Sequence, residues 1–377
     1  MIEPIALYVH WPYCARICPY CDFNVVRDRG RTDEQATLVA ALLADMQAQA
    51  ALSGPRPLAS IFFGGGTPSL MAPEAVAAVI ERARSLFPGG GDVEITLEAN
   101  PTDAEAARFN ALAAAGVDRL SLGVQAFDDP ALAFLGRNHS ADEARRAIAL
   151  ARAAFPRLSI DLIYARPGQT PADWTAELTM ALDLGFEHVS PYQLTIEAPT
   201  AFGRAVARGQ WSPPDEDRAA DLYETTQAVL EAAGFEAYEV SNHARDAAAR
   251  SAHNLHVWRG GDYVGVGPGA HGRLTLGGTR TATVAHRGIG AYVEGVASGE
   301  PWSDRTALTP AEADEERILL GLRTVEGVDR ARLTRAAAPG AVETLIADGF
   351  LEPLGDHIRA TATGRPVLDG VLKALLT

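Results

Sequence analysis

The sequence has 377 residues, of which 47% are hydrophobic and 21% are charged, with a formal net charge of −15 at pH 7. A chain of this length can bury a large core and is predicted to form two domains. Its net negative charge argues against a surface that binds nucleic acid or anionic lipid, since such surfaces carry clustered lysine and arginine. The first residues lack the pattern of a signal peptide, and no apolar run is expected to approach membrane-spanning length.

The first predicted strand, residues 5–10, leads into a loop that holds all three cysteines of the chain. Cys14, Cys18 and Cys21 follow a Cys-x3-Cys-x2-Cys spacing, and loops this short would strain any disulfide between them. We therefore predict a metal centre. A structural zinc ion would need a fourth ligand such as His10. A four-iron cluster held by three cysteines would leave one iron open for a small molecule.

Short apolar strands alternate with longer helices over the first half of the chain. Strands are predicted near residues 5–10, 60–63, 93–98, 118–124, 158–164 and 188–194, with helices between them. This alternation is typical of parallel βαβ units. It predicts an α/β fold with a partial (β/α)6 barrel, whose active face lies at the C-terminal ends of the strands. An open doubly wound sheet is the alternative.

The pattern changes after residue 195. A long helix is predicted near residues 215–233 and a last strand near 237–240, followed by a dense loop at 251–272. From about residue 308 the chain is mostly helical with a strand pair near 350–360, and this order is similar to a winged helix. We predict a core barrel at 1–240, a connecting segment at 241–305 and a C-terminal, winged-helix-like domain at 306–377. Acidic residues outnumber basic ones in the last part, which argues against DNA binding.

Two kinds of sequence feature follow the predicted strands, a glycine-rich run and single polar side chains. The run Gly64-Gly65-Gly66-Thr67-Pro68 lets the backbone approach a ligand closely, but lacks the Gly-Lys-Ser/Thr ending of a phosphate loop. Single polar side chains also stand at or just beyond strand ends, namely Glu98, Gln125, Arg137 and Asp161. Taken singly, each would be a helix cap or a surface group. Taken together, they predict a hydrogen-bonding wall on the same face as the cysteines.

The cysteine loop followed by the glycine run resembles the radical S-adenosylmethionine (SAM) superfamily. In that superfamily the open iron of a [4Fe-4S] cluster chelates SAM, and one electron splits the sulfonium into methionine and a 5′-deoxyadenosyl radical. Across essentially the whole chain the sequence is similar to the HemN/HemW group. The motifs that carry this resemblance are Tyr8 to Phe23, Gly64 to Ser69, Glu98-Ala99-Asn100-Pro101, Gly123-Val124-Gln125, Leu135-Gly136-Arg137, Asp161-Leu162-Ile163-Tyr164 and His253 to Trp258.

The resemblance implies roles for individual residues. Cys14, Cys18 and Cys21 would ligate the cluster. The cluster-bound SAM would be contacted by Tyr8, Gly65 and Glu98. Positions that contact a second SAM in the dehydrogenase of this group are matched by Tyr20, Gly66, Thr67, Gln125, Arg137 and Asp161.

The group contains heme chaperones and the oxygen-independent coproporphyrinogen III dehydrogenase. The dehydrogenase carries a fourth cysteine where this chain has Phe23, and a long segment before its cysteines, whereas few residues precede Cys14 here. We therefore expect a heme chaperone. The alternative is a coproporphyrinogen III oxidase or another radical SAM enzyme that acts on tetrapyrroles.

The chaperone motif His-Asn-x-x-Tyr-Trp is matched by residues 253–258, with Val257 in place of the tyrosine. Imidazole is a natural axial ligand of heme iron, so His253 is the expected heme ligand, with His256 as its rival. The alternative is a hydrogen-bonded structural role for His253, and such a role is also expected for His271. His10 is expected to orient the cluster loop.

The resemblance also implies partners and a compartment. The partners would be heme, a heme-accepting protein such as a membrane-bound respiratory enzyme, and an electron donor such as flavodoxin or ferredoxin, with no nucleic acid among them. An oxygen-sensitive cluster and the absence of disulfides suit a reducing cytoplasm.

Overall fold

The computed structural model describes residues 3–89 and 91–377. Its centre is a set of six parallel strands that hydrogen-bond to one another in sequence order. They are β1 (Ile5–Trp11), β2 (Leu58–Gly65), β3 (Glu94–Ala99), β4 (Arg119–Gln125), β5 (Arg157–Tyr164) and β6 (His188–Gln193). The predicted partial (β/α)6 barrel is confirmed. The doubly wound alternative is wrong, because such a sheet reverses its strand order at the centre.

Helices follow the barrel strands and pack against them. They are α1 (Thr32–Ser53), α2 (Pro73–Leu86), α3 (Asp103–Ala106), α4 (Phe109–Ala114), α5 (Asp129–Phe134), α6 (Ala141–Ala154) and α7 (Pro171–Leu182), with a 3-10 turn at Pro68–Leu70. Except for α5, whose Leu132 lies in a separate small cluster, their apolar faces join alternate strand residues in one core, where Leu7, Ile61 and Leu97 are fully buried. The side chains of each strand that point the other way line the inside of the barrel.

Helix α1 is long and apolar enough to cross a membrane by length and composition alone, which the sequence analysis did not anticipate. It packs instead against the barrel, where Leu38, Leu42 and Met46 are fully buried in the main core. On the same helix, the buried carboxylate of Asp45 accepts a hydrogen bond from Tyr292 at 2.7 Å. These contacts make α1 a core helix of the barrel.

The main sheet extends beyond the barrel at both edges. In chain order come α8 (Ala201–Ala207), α9 (Glu216–Ala232), β7 (Glu236–Glu239), β8 (Asn242–Ala244), α10 (Ala252–Trp258), β9 (Asp262–Val266), β10 (His271–Leu276), β11 (Thr279–Ala285), α11 (Ile289–Ser298) and β12 (Trp302–Ala307). Strand β8 pairs with β6, whereas β9 runs parallel to β1 and is followed by β10, β11 and β12. The segment predicted as a connection, residues 241–305, thus supplies strands to both edges.

The prediction of a dense loop at residues 251–272 was wrong, because this stretch contains α10 and β9 and reaches into β10. The hydroxyl of Ser251 accepts a hydrogen bond from the Asn254 N–H and so caps a helix of only seven residues. A helix this short leaves too little periodicity for sequence patterns to detect.

The C-terminal part has a separate small core. It contains α12 (Pro310–Gly321), β13 (Val328–Asp329), α13 (Arg330–Ala336), α14 (Ala341–Ala347), β14 (Leu351–Leu354), β15 (His357–Ala360), a 3-10 turn at Arg365–Val367 and α15 (Leu368–Leu376). The three strands pair in the order β13, β15, β14. Ile318, Leu333 and Leu375 are among the fully buried residues of its core. A mostly helical C-terminal domain was predicted, and this is confirmed.

Candidate functional site

The three cysteines lie just beyond the C-terminal end of β1. The base of their loop is closed where Tyr13–Cys14 pairs with Val26–Arg27 as two short parallel strands. Further along the loop, the Cys21 N–H donates to the carbonyl oxygen of Cys18 at 3.2 Å. All three thiols are free and line one cavity of about 500 Å³. The backbone therefore brings the whole predicted ligand set to one place.

The arrangement of the thiols suits a cluster better than a single ion. Within residues 3–89 and 91–377, no three His, Cys, Asp or Glu side chains converge as ligands of one metal. His10, the candidate fourth zinc ligand, pairs through Nδ1 with the Tyr8 hydroxyl at 3.0 Å and through Nε2 with the Asn24 carbonyl oxygen at 2.9 Å. In a four-iron cluster each cysteine binds a different iron, so thiols that surround a cavity fit it.

Burial also sets the protonation of the thiols. It raises the pKa of Cys14 to about 11 and raises that of Cys21 as well. The ligand form of cysteine is the thiolate, so both groups must release a proton when metal binds.

The glycine run fastens the cysteine loop to β2. The Gly66 N–H donates to the Trp11 carbonyl oxygen at 2.7 Å, and the Thr67 N–H donates to the Tyr13 carbonyl oxygen at 2.8 Å. A Cβ on Gly66 would lie 2.7 Å from the Tyr13 carbonyl oxygen, and one on Gly65 would lie 2.5 Å from the His10 ring. From the sequence, these glycines were expected to let the backbone approach a ligand. The atoms that exclude a side chain here belong to the protein itself.

Nearly all of the residues expected to contact SAM line the cysteine cavity. They are Tyr20, Gly65, Gly66, Thr67, Glu98, Gln125, Arg137 and Asp161. They come from the C-terminal ends of successive barrel strands and from the loops that follow, which is the face where barrels of this kind bind ligands.

Arg137 lies at the centre of this wall. Its Nη1 donates to the Cys18 sulfur at 3.3 Å, and its Nη2 donates to the Gly123 carbonyl oxygen at 2.9 Å and to Asn100. Over the described parts of the chain, no carboxylate forms a salt bridge with Arg137. A buried cation without an acidic partner is suited to an anionic ligand, such as a carboxylate or a thiolate-bound cluster.

Two carboxyl groups with raised pKa values face the same cavity. Burial, followed by repulsion from Asp161, raises the pKa of Glu98 to about 8. Burial also raises the pKa of Asp161 to about 6, against hydrogen bonds from Ser190 and Ser121. Glu98 is therefore mostly protonated at neutral pH in the ligand-free protein. A ligand that brings hydroxyl or amino donors, or a positive charge, would favour the ionised forms.

The cavity is also lined by residues that were not predicted from the sequence, and Asn100 and Tyr192 are two of them. The Asn100 side chain bridges the wall, because its Nδ2 donates to Thr67 Oγ1 at 3.1 Å while its Oδ1 accepts from Arg137. Its position just past the end of β3 could have identified Asn100 as a residue of this cavity. Tyr192 lies near the end of β6, where the same reasoning would have applied.

Tyr8 and His253 line a second cavity instead, with a volume of about 520 Å³. The Phe62 ring lies between them, 5.0 Å from the His253 ring and 6.3 Å from the Tyr8 ring, centre to centre. Asp22 and Phe23 of the cysteine loop line both cavities. The two cavities are therefore neighbours that share these two residues as a wall.

The His253 ring is held in one orientation at the start of α10. Its Nδ1 lies 2.9 Å from the Ser60 hydroxyl oxygen, and its backbone N–H donates to the Glu94 carboxylate at 3.0 Å. Its Nε2 has no hydrogen-bond partner among the described residues. His256 is engaged elsewhere, because its Nε2 lies 2.8 Å from the Asp262 carbonyl oxygen and its ring does not line the cavity. Of the two candidate histidines, only His253 offers a free nitrogen at this cavity.

Comparison with known proteins identifies the family. The sequence model of the Radical SAM superfamily matches residues 8–180, and that of the HemN C-terminal domain matches residues 308–367. A protein of Escherichia coli named heme chaperone HemW is 36% identical over 384 residues, which cover 100% of this chain and 99% of that protein. The chain belongs to the HemW group of the radical SAM superfamily.

Further relatives extend across distant organisms. A HemW of Mycobacterium tuberculosis is 37% identical, with 99% of this chain and 95% of that protein covered. The mitochondrial radical S-adenosyl methionine domain-containing protein 1 of Bos taurus is 42% identical over 99% of this chain and 87% of its own length. Among solved structures, the coproporphyrinogen III oxidase HemN of Escherichia coli matches with a TM-score of 0.82 at 22% identity, covering 99% of this chain and 90% of HemN. At that identity the match shows the fold alone.

The two hydrogen bonds from Gly66 and Thr67 to the cysteine loop, called the glycine clamp below, predict that Gly66→Ala binds less iron than wild type on reconstitution. The new Cβ would meet the Tyr13 carbonyl oxygen and push the cysteine loop off β2, at a cost on the order of 1–3 kcal/mol for overpacking. Iron and sulfide analysis after anaerobic reconstitution should show clearly lower loading than wild type. Gly290→Ala is the matched control, since a Cβ there meets nothing within 4 Å. Full loading of Gly66→Ala would contradict the clamp.

The raised pKa of Glu98 predicts a pH dependence of stability. Its folded pKa of about 8 lies above the ordinary 4.5, so the stability it contributes is complete below pH 4.5 and is lost as pH rises toward 8. Glu98→Gln should therefore be progressively more stable than wild type from pH 5 to pH 8, at about 1.4 kcal/mol per pKa unit. Denaturant unfolding of the cluster-free protein measures this, with Glu81→Gln on the exposed face of α2 as control. Parallel pH profiles of wild type and Glu98→Gln would refute the assignment.

Proposed function

We propose that the protein is a heme chaperone that binds heme, a [4Fe-4S] cluster and SAM, and that transfers heme to an acceptor protein. The observation that carries this proposal is the pair of adjacent cavities. One is lined by the three cysteines, and the other contains the free nitrogen of His253. Relatives that match over nearly the full length of the chain are named heme chaperones, which supports the same function.

In the first cavity the cysteines would hold the cluster. When bound, the cluster supplies one electron and an open iron for the amino and carboxylate groups of SAM. Arg137, which donates to the Cys18 sulfur, would offset the negative charge of the thiolates. Glu98 and Asp161 would accept hydrogen bonds from the donors of SAM, which favours their ionised forms and lowers their pKa values.

In the second cavity His253 would ligate heme iron through Nε2. Ser60 and Glu94 hold the ring and its backbone in place, so little conformational freedom is lost when the iron binds. Tyr8, Phe62 and Trp258 supply flat aromatic surface around it, which suits a porphyrin face.

The residue Phe23 favours a heme carrier over a coproporphyrinogen III oxidase. It stands where the dehydrogenase has its fourth cysteine, and its side chain is 62% exposed at the wall that the two cavities share. A phenyl ring neither ligates metal nor exchanges protons, so a step that needs the fourth thiol has no group to perform it here.

The partners and the compartment follow from the same chemistry. The acceptor would be a heme protein such as a membrane-bound respiratory enzyme, and reduction of the cluster would need a donor such as flavodoxin or ferredoxin. We place the protein in the cytoplasm, because its three cysteines are free and an oxygen-sensitive cluster needs a reducing compartment. Its relative in cattle is named a mitochondrial protein.

The heme site predicts that His253→Ala weakens heme binding. Loss of the axial imidazole should reduce affinity at least tenfold, equivalent to about 1.4 kcal/mol, and shift the Soret band. Anaerobic heme titration of the reconstituted protein measures both. His256→Ala is the control, because its ring faces the Asp262 carbonyl oxygen and should leave the spectrum unchanged. An unaltered spectrum and affinity in His253→Ala would remove it as a ligand.

The choice between chaperone and enzyme has its own test. Reconstituted protein should contain about four iron and four sulfide per chain. Incubated without oxygen with coproporphyrinogen III, SAM and reductant, it should yield no protoporphyrinogen, while purified HemN serves as the positive control. Formation of protoporphyrinogen above background would show that the oxidase alternative is right. Material without iron would remove the cluster altogether.

A further inference from the structure

A further cavity, called the outer groove from here on, lies beside the cysteine loop and has a volume of about 600 Å³. It is bounded by residues 16–19 and Cys21 of that loop, by the end of α5, and by the start of α8. Cys18 and Cys21 line both the outer groove and the cavity assigned to the cluster. The cysteine loop is therefore the wall between the groove and the cluster site.

The outer groove leads to the cluster site and not to the heme site. Among the residues that the structure describes, it shares no lining residue with the second cavity, where His253 lies. A protein seated in the groove would contact the loop that carries the cluster ligands without touching the proposed heme ligand. The groove therefore suits a partner that acts on the cluster rather than one that receives heme.

The groove is held in shape by the packing of α8 against the cysteine loop. The Phe202 N–H donates to the Pro19 carbonyl oxygen at 2.9 Å, which fastens the start of α8 to the loop. The Phe202 ring packs on the rings of Phe134 and Trp211, with ring centres 4.8 and 5.0 Å away. A surface that is already ordered loses little conformational freedom when a partner binds.

The charge of the groove is opposite to that of the chain. Its lining contains Arg16 and Arg204 but no carboxylate, although the chain carries a net charge of −15. Arg208 follows Arg204 by about one helical turn. Over the described parts of the chain none of these three arginines forms a salt bridge, and Arg204 donates only to the Pro199 carbonyl oxygen at 2.7 Å. Ile17, 46% exposed, adds apolar surface to this basic rim.

We propose that the outer groove is the docking surface for a small acidic one-electron carrier, an inference that rests on the proposed function. Carboxylates of the carrier pair with Arg16, Arg204 and Arg208, and its redox group faces Cys18 and Cys21. One electron passes from the reduced carrier to the oxidised cluster, and no bond forms or breaks. Electron transfer slows steeply with distance, so close approach to the cysteines is what the groove provides. Opposite charges steer such encounters and fix their orientation.

The first test measures docking itself, with flavodoxin as the acidic carrier. Anaerobically reconstituted wild type, Arg204→Glu and Arg84→Glu are titrated with oxidised flavodoxin by calorimetry, which requires no turnover. Arg204→Glu should weaken binding about tenfold at low salt, and the difference should shrink as ionic strength rises. Arg84 is exposed on α2 and does not line the groove, so Arg84→Glu makes the same charge change elsewhere and should bind like wild type.

The second test follows reduction of the cluster by its absorbance in a stopped-flow instrument. With reduced flavodoxin, Arg204→Glu should be reduced more slowly than wild type by about the factor lost in binding. Photoreduced deazaflavin, a small neutral reductant that needs no docking surface, should reduce all the proteins at the same rate. Arg204→Lys keeps the charge and should behave like wild type, which guards against a folding defect in Arg204→Glu.

The outcomes separate the docking surface from the proposed function. Equal binding and reduction in Arg204→Glu and wild type, or a wild type that does not bind flavodoxin, would overturn the docking surface and leave the cluster and heme sites standing. Slower heme transfer with unchanged flavodoxin binding would assign the groove to the heme acceptor and so overturn the inference. Reconstituted protein without a cluster would overturn the proposed function and this inference together.

Discussion

The site depends on two short backbone hydrogen bonds that join the cysteine loop to the neighbouring strand. They run from Gly66 to Trp11 and from Thr67 to Tyr13, and they tie the exit of β1 to the exit of β2. Without side chains at Gly65 and Gly66 the two segments can approach to hydrogen-bonding distance. The position of Cys14, and through the loop that of Cys18 and Cys21, is a consequence of this contact. The glycines next to the cysteines thus serve protein packing as well as the cavity wall that they form.

Behind the clamp, the barrel interior holds charged groups that the protein alone leaves incompletely compensated. Among the described residues no carboxylate pairs with Arg137, while Glu98 lies near Asp161, whose charge opposes its ionisation. Such an arrangement costs stability in the empty protein, because buried charge is expensive unless it is paired. A ligand that carries both an anionic and a cationic group would compensate both sides at once, which is the chemical character of SAM.

The second cavity exists because the chain returns to the barrel after leaving it. Helix α10 fits against the inner side of β2 and β3, where Ser60 and Glu94 bind His253, and β9 to β11 extend the sheet to bring in His271. Phe23 lies in the wall between this cavity and the one that the cysteines line. The two cavities are built by different parts of the sequence, but the sheet makes them adjacent.

The sequence by itself determined what is local. The spacing of the cysteines, the alternation of strands and helices, and the polar groups at strand ends all follow from short-range geometry, and they predicted the barrel and the wall of the first cavity. Only the tertiary structure decided that Tyr8 faces the second cavity, that residues 241–305 belong to the main sheet, and that His271 shares a cavity with His253. These features rest on contacts such as that of Ser60 with His253, whose partners lie far apart in the chain. Local patterns carry no information about such pairs, because long-range packing and strand register alone bring them together.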